Sequence, residues 1–129
     1  MAKAKPIQVV VITPERQVLE AGTDSVVIPA HDGELGVLEN RAPLMCELAT
    51  GTLRYKEDGK TRKVAIDGGF AQVFNNRVIV LTEQATTASE VTPELIASVE
   101  KTADDQKASP TARVRAKRRA SALRGLQIA

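Results

Sequence analysis

Turn signals recur about every ten residues between residues 7 and 85, and they constrain the fold more than any other feature of the sequence. β-Branched runs such as Ile7–Ile12 alternate with the pairs Asp58-Gly59 and Asn75-Asn76, which accept the positive φ of tight hairpin turns. No helical pattern interrupts this stretch, which argues against a parallel sheet built from helical crossovers. The spacing is typical of a sandwich or barrel, and we expect residues 1–86 to form an antiparallel β-sandwich.

The sequence pattern changes near Ala85, where a polar link over residues 86–91 precedes two segments with helical spacing. Each segment begins with a Thr-Pro or Ser-Pro step, at Thr92 and Ser109, which supplies an N-cap followed by a first-turn proline. Because only two or three residues separate the segments, we expect residues 87–129 to form an antiparallel helical hairpin.

Apolar residues mark one face of each predicted helix, and Gly125 is expected to end the second helix. The faces are expected at Leu95, Ile96, Val99 and Ala103 on the first helix, and at Ala112, Ala116, Ala120 and Leu123 on the second. The second face is mostly alanine, which buries little apolar area and therefore attaches weakly to any surface. We expect a hairpin that can detach from the sandwich when a partner offers better contacts.

The net charge of +2 is unevenly distributed along the chain. Residues 110–129 carry six Lys or Arg side chains and no Asp or Glu, whereas residues 1–91 carry 10 basic and 12 acidic side chains. A basic segment on a mildly acidic body favours an acidic binding partner, although a solvated helix face accounts for the same charges about as well.

Composition excludes several types of site. The single cysteine, Cys46, leaves no internal disulfide and no multi-cysteine zinc site, and the single histidine, His31, leaves no histidine cluster. We interpret Cys46 as a small core residue, His31 as a turn residue and Gly68-Gly69 as a tight bend. Three aromatic residues are too few for a base-stacking groove, and no apolar run is long enough for a membrane span or a signal peptide. We expect no metal, no cofactor, and a location in the cytosol or on the cytosolic face of a larger structure.

Two motifs in order resemble the epsilon subunit of F-type ATP synthases of the bacterial or chloroplast type. The first is Gly33–Leu38 followed by Ala42-Pro43-Leu44, and the second is the run of residues 65–73 (AIDGGFAQV) followed by residues 78–81 and Ala85. The resemblance covers nearly the whole chain and is strongest over residues 7–85. It implies a β-sandwich of about ten strands followed by two helices.

The same resemblance implies a non-catalytic subunit of the rotating central stalk, which couples the catalytic head to the c-ring during proton-driven ATP synthesis. The implied partners are the gamma subunit, the c-ring, and the alpha and beta subunits, with no nucleic acid. The hairpin either lies on the sandwich or extends toward the alpha and beta subunits and inhibits ATP hydrolysis. The implied location is peripheral, on the cytoplasmic face of the bacterial inner membrane, through the complex alone.

Two sets of contact residues follow from the resemblance. Glu34, Leu35 and Gly36 match the family segment that faces the c-ring, and Arg41 stands in a step where the family usually has Pro-Gly-His, so we expect Arg41 to contact the ring through its charge. The residues expected to bind an acidic segment of the beta subunit are Arg113, Arg115, Arg118 and Arg119.

One regulatory motif of the family is altered. Some bacterial members bind ATP through a first-helix motif of the form Ile/Leu-Asp-x-x-Arg-Ala. Here Thr92 replaces the Asp, Leu95 the Arg and Ile96 the Ala. Because the charged pair is lost, we predict that the chain has no tight ATP site.

Two alternatives belong to other functional classes. A nucleic-acid-binding protein would use the basic tail to contact phosphates, with a steep dependence on salt. A small β-sandwich enzyme or ligand-binding module would need a cleft with convergent polar groups, and no nucleophile and base are paired in the sequence.

Overall fold

A computed structural model describes residues 6–105 and 109–127, and its elements follow the predicted order of strands and then helices. The strands are β1 Ile7–Ile12, β2 Gln17–Thr23, β3 Ser25–Ala30, β4 Gly33–Leu38, β5 Leu44–Glu57, β6 Lys60–Phe74, β7 Arg77–Leu81 and β8 Ala85–Thr87. A 3₁₀ turn at Ala88–Glu90 leads to helices α1 Pro93–Asp104 and α2 Pro110–Gln127. The predicted fold class, a β-sandwich followed by two helices, is confirmed.

The two longest strands, β5 and β6, belong to both layers of the sandwich. One half of β6 continues the order β2–β1–β7–β6, and the other half pairs with β8. The second half of β5 pairs with β3, which pairs in turn with β4. Along the β5–β6 ladder the pairing is interrupted only at Ala49, opposite Gly68.

This continuity corrects the expected number of strands. The described residues form eight strands, whereas the family resemblance implied about ten. Gly68 and Gly69 have φ of 70° and 109°, so β6 changes direction there without ending. β5 and β6 each continue as one strand from one layer into the other, which lowers the number of separate strands.

One strand pair corrects the expectation of a wholly antiparallel sandwich. β1 and β7 are parallel, from Gln8 opposite Arg77 to Ile12 opposite Leu81. Strands β2 to β6 lie between β1 and β7 in the sequence. They bring the chain back to the end of the sheet where β1 begins, so no helical crossover is needed.

The tight turns follow the sequence signals. Asp58 and Gly59 have φ of 52° and 79°, and Asn75 and Asn76 have φ of 51° and 60°. Positive φ at both central residues matches the twist of the flanking strands, which confirms the two predicted hairpin turns. The segment that the resemblance assigned to the c-ring contact, Glu34 to Gly36, lies within β4, which begins at Gly33 and pairs with β3 in unbroken register.

The core of the sandwich lies between the two layers. Inward-facing residues alternate along each strand, as at Ile7, Val9 and Val11, which are fully buried. The remaining fully buried large residues of this core are Ile28, Leu53, Ile66, Val26, Val37, Val64, Val73, Val78 and Val80. Cys46 packs against this core, in agreement with its interpretation as a small core residue.

Both helices begin where the sequence predicted. The Leu95 N–H donates to the Thr92 hydroxyl at 3.1 Å, and the Ala112 N–H donates to the Ser109 hydroxyl at 3.1 Å. The hairpin cluster consists of Ile96, Val99, Ala103, Ala116, Ala120, Ala122, Leu123 and Leu126, together with Ala65 of β6. α2 packs on β5 and β6, while α1 packs mainly on α2.

Three details of the hairpin differ from expectation. α2 continues past Gly125 to Gln127, because Leu126 is buried in the hairpin cluster and its burial outweighs the cost of one helical glycine, about 1 kcal/mol. Five residues, 105–109, separate the helices rather than two or three. Ala112 is half-buried and does not belong to the cluster.

Candidate functional site

The expected c-ring residues lie on and just after the edge strand β4. Glu34 and Gly36 are exposed, whereas Leu35 alternates inward and packs against the sandwich core. The Glu34 carboxylate forms an ion pair with Arg54 at 2.7 Å, so it is already neutralised in part by a neighbour. Nothing in the sequence singled out Arg54 as this partner, although its position in the β5 alternation indicated an outward-facing side chain.

Arg41 lies in the turn that follows β4. Its N–H donates to the Leu38 carbonyl at 3.3 Å, and its side chain is exposed. The preceding residue, Asn40, has φ of 65° and donates its N–H to the Asn76 Oδ1 at 2.6 Å. This bond places Arg41 beside the β6–β7 turn, at one end of the sandwich.

The four expected partner-binding arginines of α2 do not form one exposed row. Arg118 is exposed, and Arg113 and Arg119 are half-buried. The Arg113 Nε is buried without a hydrogen-bond partner among the described residues. Arg115 is bound to the sandwich instead, since its Nε donates to the Asp67 Oδ1 at 2.8 Å, and this bond and the charge of Asp67 raise the pKa of the guanidinium.

Four exposed apolar side chains, which the sequence pattern did not reveal, share one outer face of the sheet. They are Met45, Phe70, Phe74 and Leu81, each at least half exposed. Phe70 is paired with Leu81, and Met45 is paired with Gln72, which lies between the two phenylalanines on the same side of β6. We call this group the apolar face. Exposed apolar patches on one surface commonly mark protein–protein contacts.

The space between hairpin and sandwich contains charges of both signs. A cavity of about 810 Å³ there is lined in part by Asp67, Glu83, Arg115 and Arg119.

In residues 6–105 and 109–127, no three His, Cys, Asp or Glu side chains are grouped as metal ligands. Neither helix of that part of the chain has the length and hydropathy that a membrane span requires. His31 is exposed in a turn, and its Nδ1 lies 3.6 Å from the Asp32 Oδ1.

Comparison with known proteins gives one family match and several relatives. The model for the ATP synthase delta/epsilon chain β-sandwich domain matches residues 6–88. The ATP synthase epsilon chain of Symbiobacterium thermophilum is 48% identical over 82 residues, which cover 63% of this chain and 59% of that one. That of Desulforamulus reducens is 45% identical over 94 residues, covering 73% of this chain and 70% of that one. The match thus spans less than two thirds of the Symbiobacterium relative.

Two solved structures share the fold across both halves of the chain. A chain of the Euglena gracilis mitochondrial ATP synthase, solved as an OSCP/F1/c-ring assembly, aligns with a TM-score of 0.71 at 23% identity, covering 98% of this chain and 82% of that chain. A chain of the Tetrahymena thermophila mitochondrial ATP synthase central stalk and c-ring aligns with a TM-score of 0.63 at 17% identity, covering 97% and 96%. The family model covers more than half of the sequence, and the chain therefore belongs to the ATP synthase delta/epsilon chain family.

Proposed function

We propose that this chain is the epsilon subunit of an F-type ATP synthase, a non-catalytic part of the central stalk that couples the catalytic head to the c-ring during proton-driven ATP synthesis. The observation that carries the proposal is the family match over residues 6–88, together with relatives named as epsilon chains. The proposal divides the chain into a sandwich of residues 1–86 and a hairpin of residues 87–129, joined by a link over residues 86–91. Its location is the cytoplasmic face of a bacterial inner membrane, through the complex.

The apolar face is the proposed docking surface for the gamma subunit. An exposed Phe that becomes buried on binding contributes about 1.5–3 kcal/mol, and the face holds two of them. The face is formed by neighbouring strands with mutual hydrogen bonds, so its side chains are held in place before a partner arrives. A stable interface between stalk subunits would need such a preformed surface.

The c-ring contact is proposed along the edge strand β4 and in the turn that follows it. Glu34 and Gly36 are exposed on an edge strand, Leu35 anchors that strand to the core, and Arg41 follows in the turn. The Asn40–Asn76 hydrogen bond joins this turn to the β6–β7 hairpin, which carries the apolar face. In this proposal the turn that holds Arg41 brings the ring contact next to the gamma contact at the β6–β7 hairpin.

The hairpin is proposed to bind the alpha and beta subunits when it leaves the sandwich, and to inhibit ATP hydrolysis in that position. Arg113, Arg118 and Arg119 have no ion pair with another described residue and would meet an acidic segment by charge-assisted hydrogen bonds. Arg115 would join them once its bond to Asp67 is broken. Such charges select a partner and speed its association more than they raise affinity.

The direct test is co-elution of the chain with the gamma subunit of the same organism on a sizing column at physiological salt. We expect a one-to-one complex that survives truncation after Val91, because the apolar face lies entirely in the sandwich. Phe70→Ser should weaken the complex at least about tenfold. Val114→Ser is the matched control, since Val114 is similarly exposed but lies on α2.

Two results would contradict the proposal. A chain that forms no complex with gamma, alone or with the remaining stalk and ring subunits present, would remove the assignment to the stalk. Equal binding by Phe70→Ser and Val114→Ser would leave the subunit assignment in place and move the gamma contact away from the apolar face.

A further inference from the structure

Asp67 is held in a fixed position at the point where β6 passes between the layers. Its side chain is 13% exposed, and the Thr50 hydroxyl donates to its Oδ1 at 2.8 Å. Its backbone N–H lies 3.1 Å from the buried Thr82 hydroxyl and 3.1 Å from the Gln84 carbonyl. The sandwich therefore orients this carboxylate by itself, without any contribution from the helices.

Arg115 makes the polar connection between α2 and the sandwich. Its Nε donates to the Asp67 Oδ1 at 2.8 Å, and its Nη2 donates to the Asp67 carbonyl at 3.3 Å. Within residues 6–105 and 109–127, every side-chain hydrogen bond or ion pair that the structure gives between α2 and the sandwich involves these two residues. The guanidinium thus meets two oxygens of one residue, which fixes the position of α2 along the sheet.

The apolar part of the same interface is small. The hairpin cluster takes one residue from the described part of the sandwich, Ala65, and four of its eight helical members are alanines. Burial of an alanine side chain contributes far less than burial of a leucine, so the hairpin is held to the sheet by little apolar area. The Asp67–Arg115 contact consequently makes up a large share of the attachment.

Two other ion pairs are arranged so that the hairpin can move as a unit. Arg16 binds Glu90 at 2.7 Å, and Glu90 also accepts from the Thr87 N–H and hydroxyl, which fixes the 3₁₀ turn to the sandwich. Glu100 binds Arg124 and joins α1 to α2. Departure of the whole hairpin would leave both of these ion pairs intact; among the ion pairs of the described residues it would break only Asp67–Arg115, together with the apolar contacts of α2 on β5 and β6.

We propose that the Asp67–Arg115 contact is the switch that sets the hairpin's position: it keeps α2 on the sandwich, and the hairpin is released when carboxylates of an acidic partner replace Asp67 at Arg115. The second half of this proposal rests on the proposed function, in which α2 meets acidic surfaces. The side chain of Arg115 is 49% exposed, so the contact is partly screened by solvent and of modest strength. A modest contact suits a two-state element, because a partner can shift the balance only by its difference in affinity for the two states.

Hydrogen exchange of the full-length chain tests the first half. Arg115→Gln and Asp67→Asn should each raise the amide exchange of α2 about tenfold, while exchange in β1 and β7 stays unchanged and reports an intact sandwich. The matched control is Lys117→Gln, which removes one positive charge from an exposed site on the same helix and should change α2 exchange less than about twofold. The double variant should open little further than either single one, because each substitution removes the same ion pair.

Several outcomes would overturn this half of the proposal. Equal effects of Arg115→Gln and Lys117→Gln would mean that α2 responds only to total charge. If the increases in α2 exchange rate from the two substitutions multiply in the double variant, the two residues act independently. Unchanged α2 exchange in Asp67→Asn would show that the ion pair does not hold the hairpin on the sandwich.

A fluorescent oligoglutamate peptide tests the exchange of partners. At low salt it should bind Asp67→Asn several-fold more tightly than the unaltered chain, since Arg115 is then available, and equal affinity would contradict the exchange. Gamma co-elution of the same variants separates this proposal from the proposed function. If the variants bind gamma while the amides of α2 stay protected from exchange, the switch alone is refuted. If the variants show faster exchange in α2 but do not bind gamma, the stalk assignment alone is refuted.

Discussion

Replacement of Gly69 by alanine should destabilise this protein strongly, because the added methyl group has no room. Gly69 lies in β6 with φ of 109°, a conformation that residues with a Cβ rarely adopt. A Cβ built at this position would lie 1.9 Å from the Leu81 carbonyl oxygen and 2.9 Å from the Thr82 Cα. Both contacts are with backbone, so no side-chain rotation can relieve them.

The expected cost follows from two contributions. The unfavourable φ costs about 1–3 kcal/mol. Relief of the clash requires β6 and β7 to separate locally, and each ladder hydrogen bond lost costs about 0.5–1.5 kcal/mol. We therefore expect a loss of about 3–5 kcal/mol from a total stability of about 5–15 kcal/mol.

Urea unfolding, followed by circular dichroism at pH 7 and 25 °C, measures this loss. With a slope of about 1–3 kcal/mol per molar, the midpoint for Gly69→Ala should fall by more than about 1 M. Gly125→Ala is the matched control, because a Cβ there meets no atom within 4 Å and alanine favours the helix, so its midpoint should stay equal or rise slightly. A Gly69→Ala midpoint within about 0.3 M of the unaltered protein would refute the close approach of β6 to Leu81.

Four further outcomes are expected. Leu53→Ala should lower the free energy of unfolding by about 2–5 kcal/mol in the same urea assay, because Leu53 is fully buried in the core. Desolvation raises the pKa of the Glu90 carboxyl, but hydrogen bonds from Thr87 and the charge of Arg16 outweigh it, so the net pKa is lowered. The ionised carboxylate therefore stabilises the fold at pH values above its unfolded pKa of about 4.3. This stabilisation is lost as the pH falls through the lower pKa of the folded state. Glu90→Gln should flatten the pH dependence of thermal unfolding in that window, and an unchanged dependence would contradict the assignment. Burial raises the pKa of the Cys46 thiol, so its reaction with Ellman's reagent at pH 7 should be slower than that of an exposed thiol and should speed up as the pH rises. Calorimetry with millimolar ATP should show no saturable binding, in keeping with the altered first-helix motif.

The local parts of the fold were predictable because their causes lie within a few residues. The Asn75-Asn76 turn, the Thr92 cap and the burial of Val99 each depend on short-range chemistry or on helical spacing. The passage of β5 and β6 from one layer to the other was not predictable. Glycine occurs both at bends within a strand and at turns between strands, so its presence does not tell the two apart. The parallel pairing of β1 with β7 depends on contacts between distant segments, which periodicity does not reveal.

The candidate surfaces divide in a similar way. The exposure of Glu34 followed from its place beside a turn, but its pairing with Arg54 did not, since 20 positions and a change of strand separate them. In β6, apolar residues occupy both faces over residues 70–74 and Gln72 is the one polar side chain, so hydrophobicity alone did not indicate that Phe70 and Phe74 face outward while the smaller Ala71 and Val73 fill the core. The family resemblance supplied the subunit type, and it is confirmed at the level of the family.

The parallel pairing of β1 with β7 has a consequence for how the chain is made. β1 is an inner strand whose two neighbours are β2, which follows it at once, and β7, which begins at Arg77. At roughly 5–20 residues per second, a ribosome needs roughly 3–13 s to synthesise the intervening segment. During that interval one edge of β1, an uncharged β-branched strand, has no partner and is prone to pair with another nascent chain. Synthesis that stalls before β7 should therefore yield aggregates, whereas a stall after β8 should release a folded sandwich.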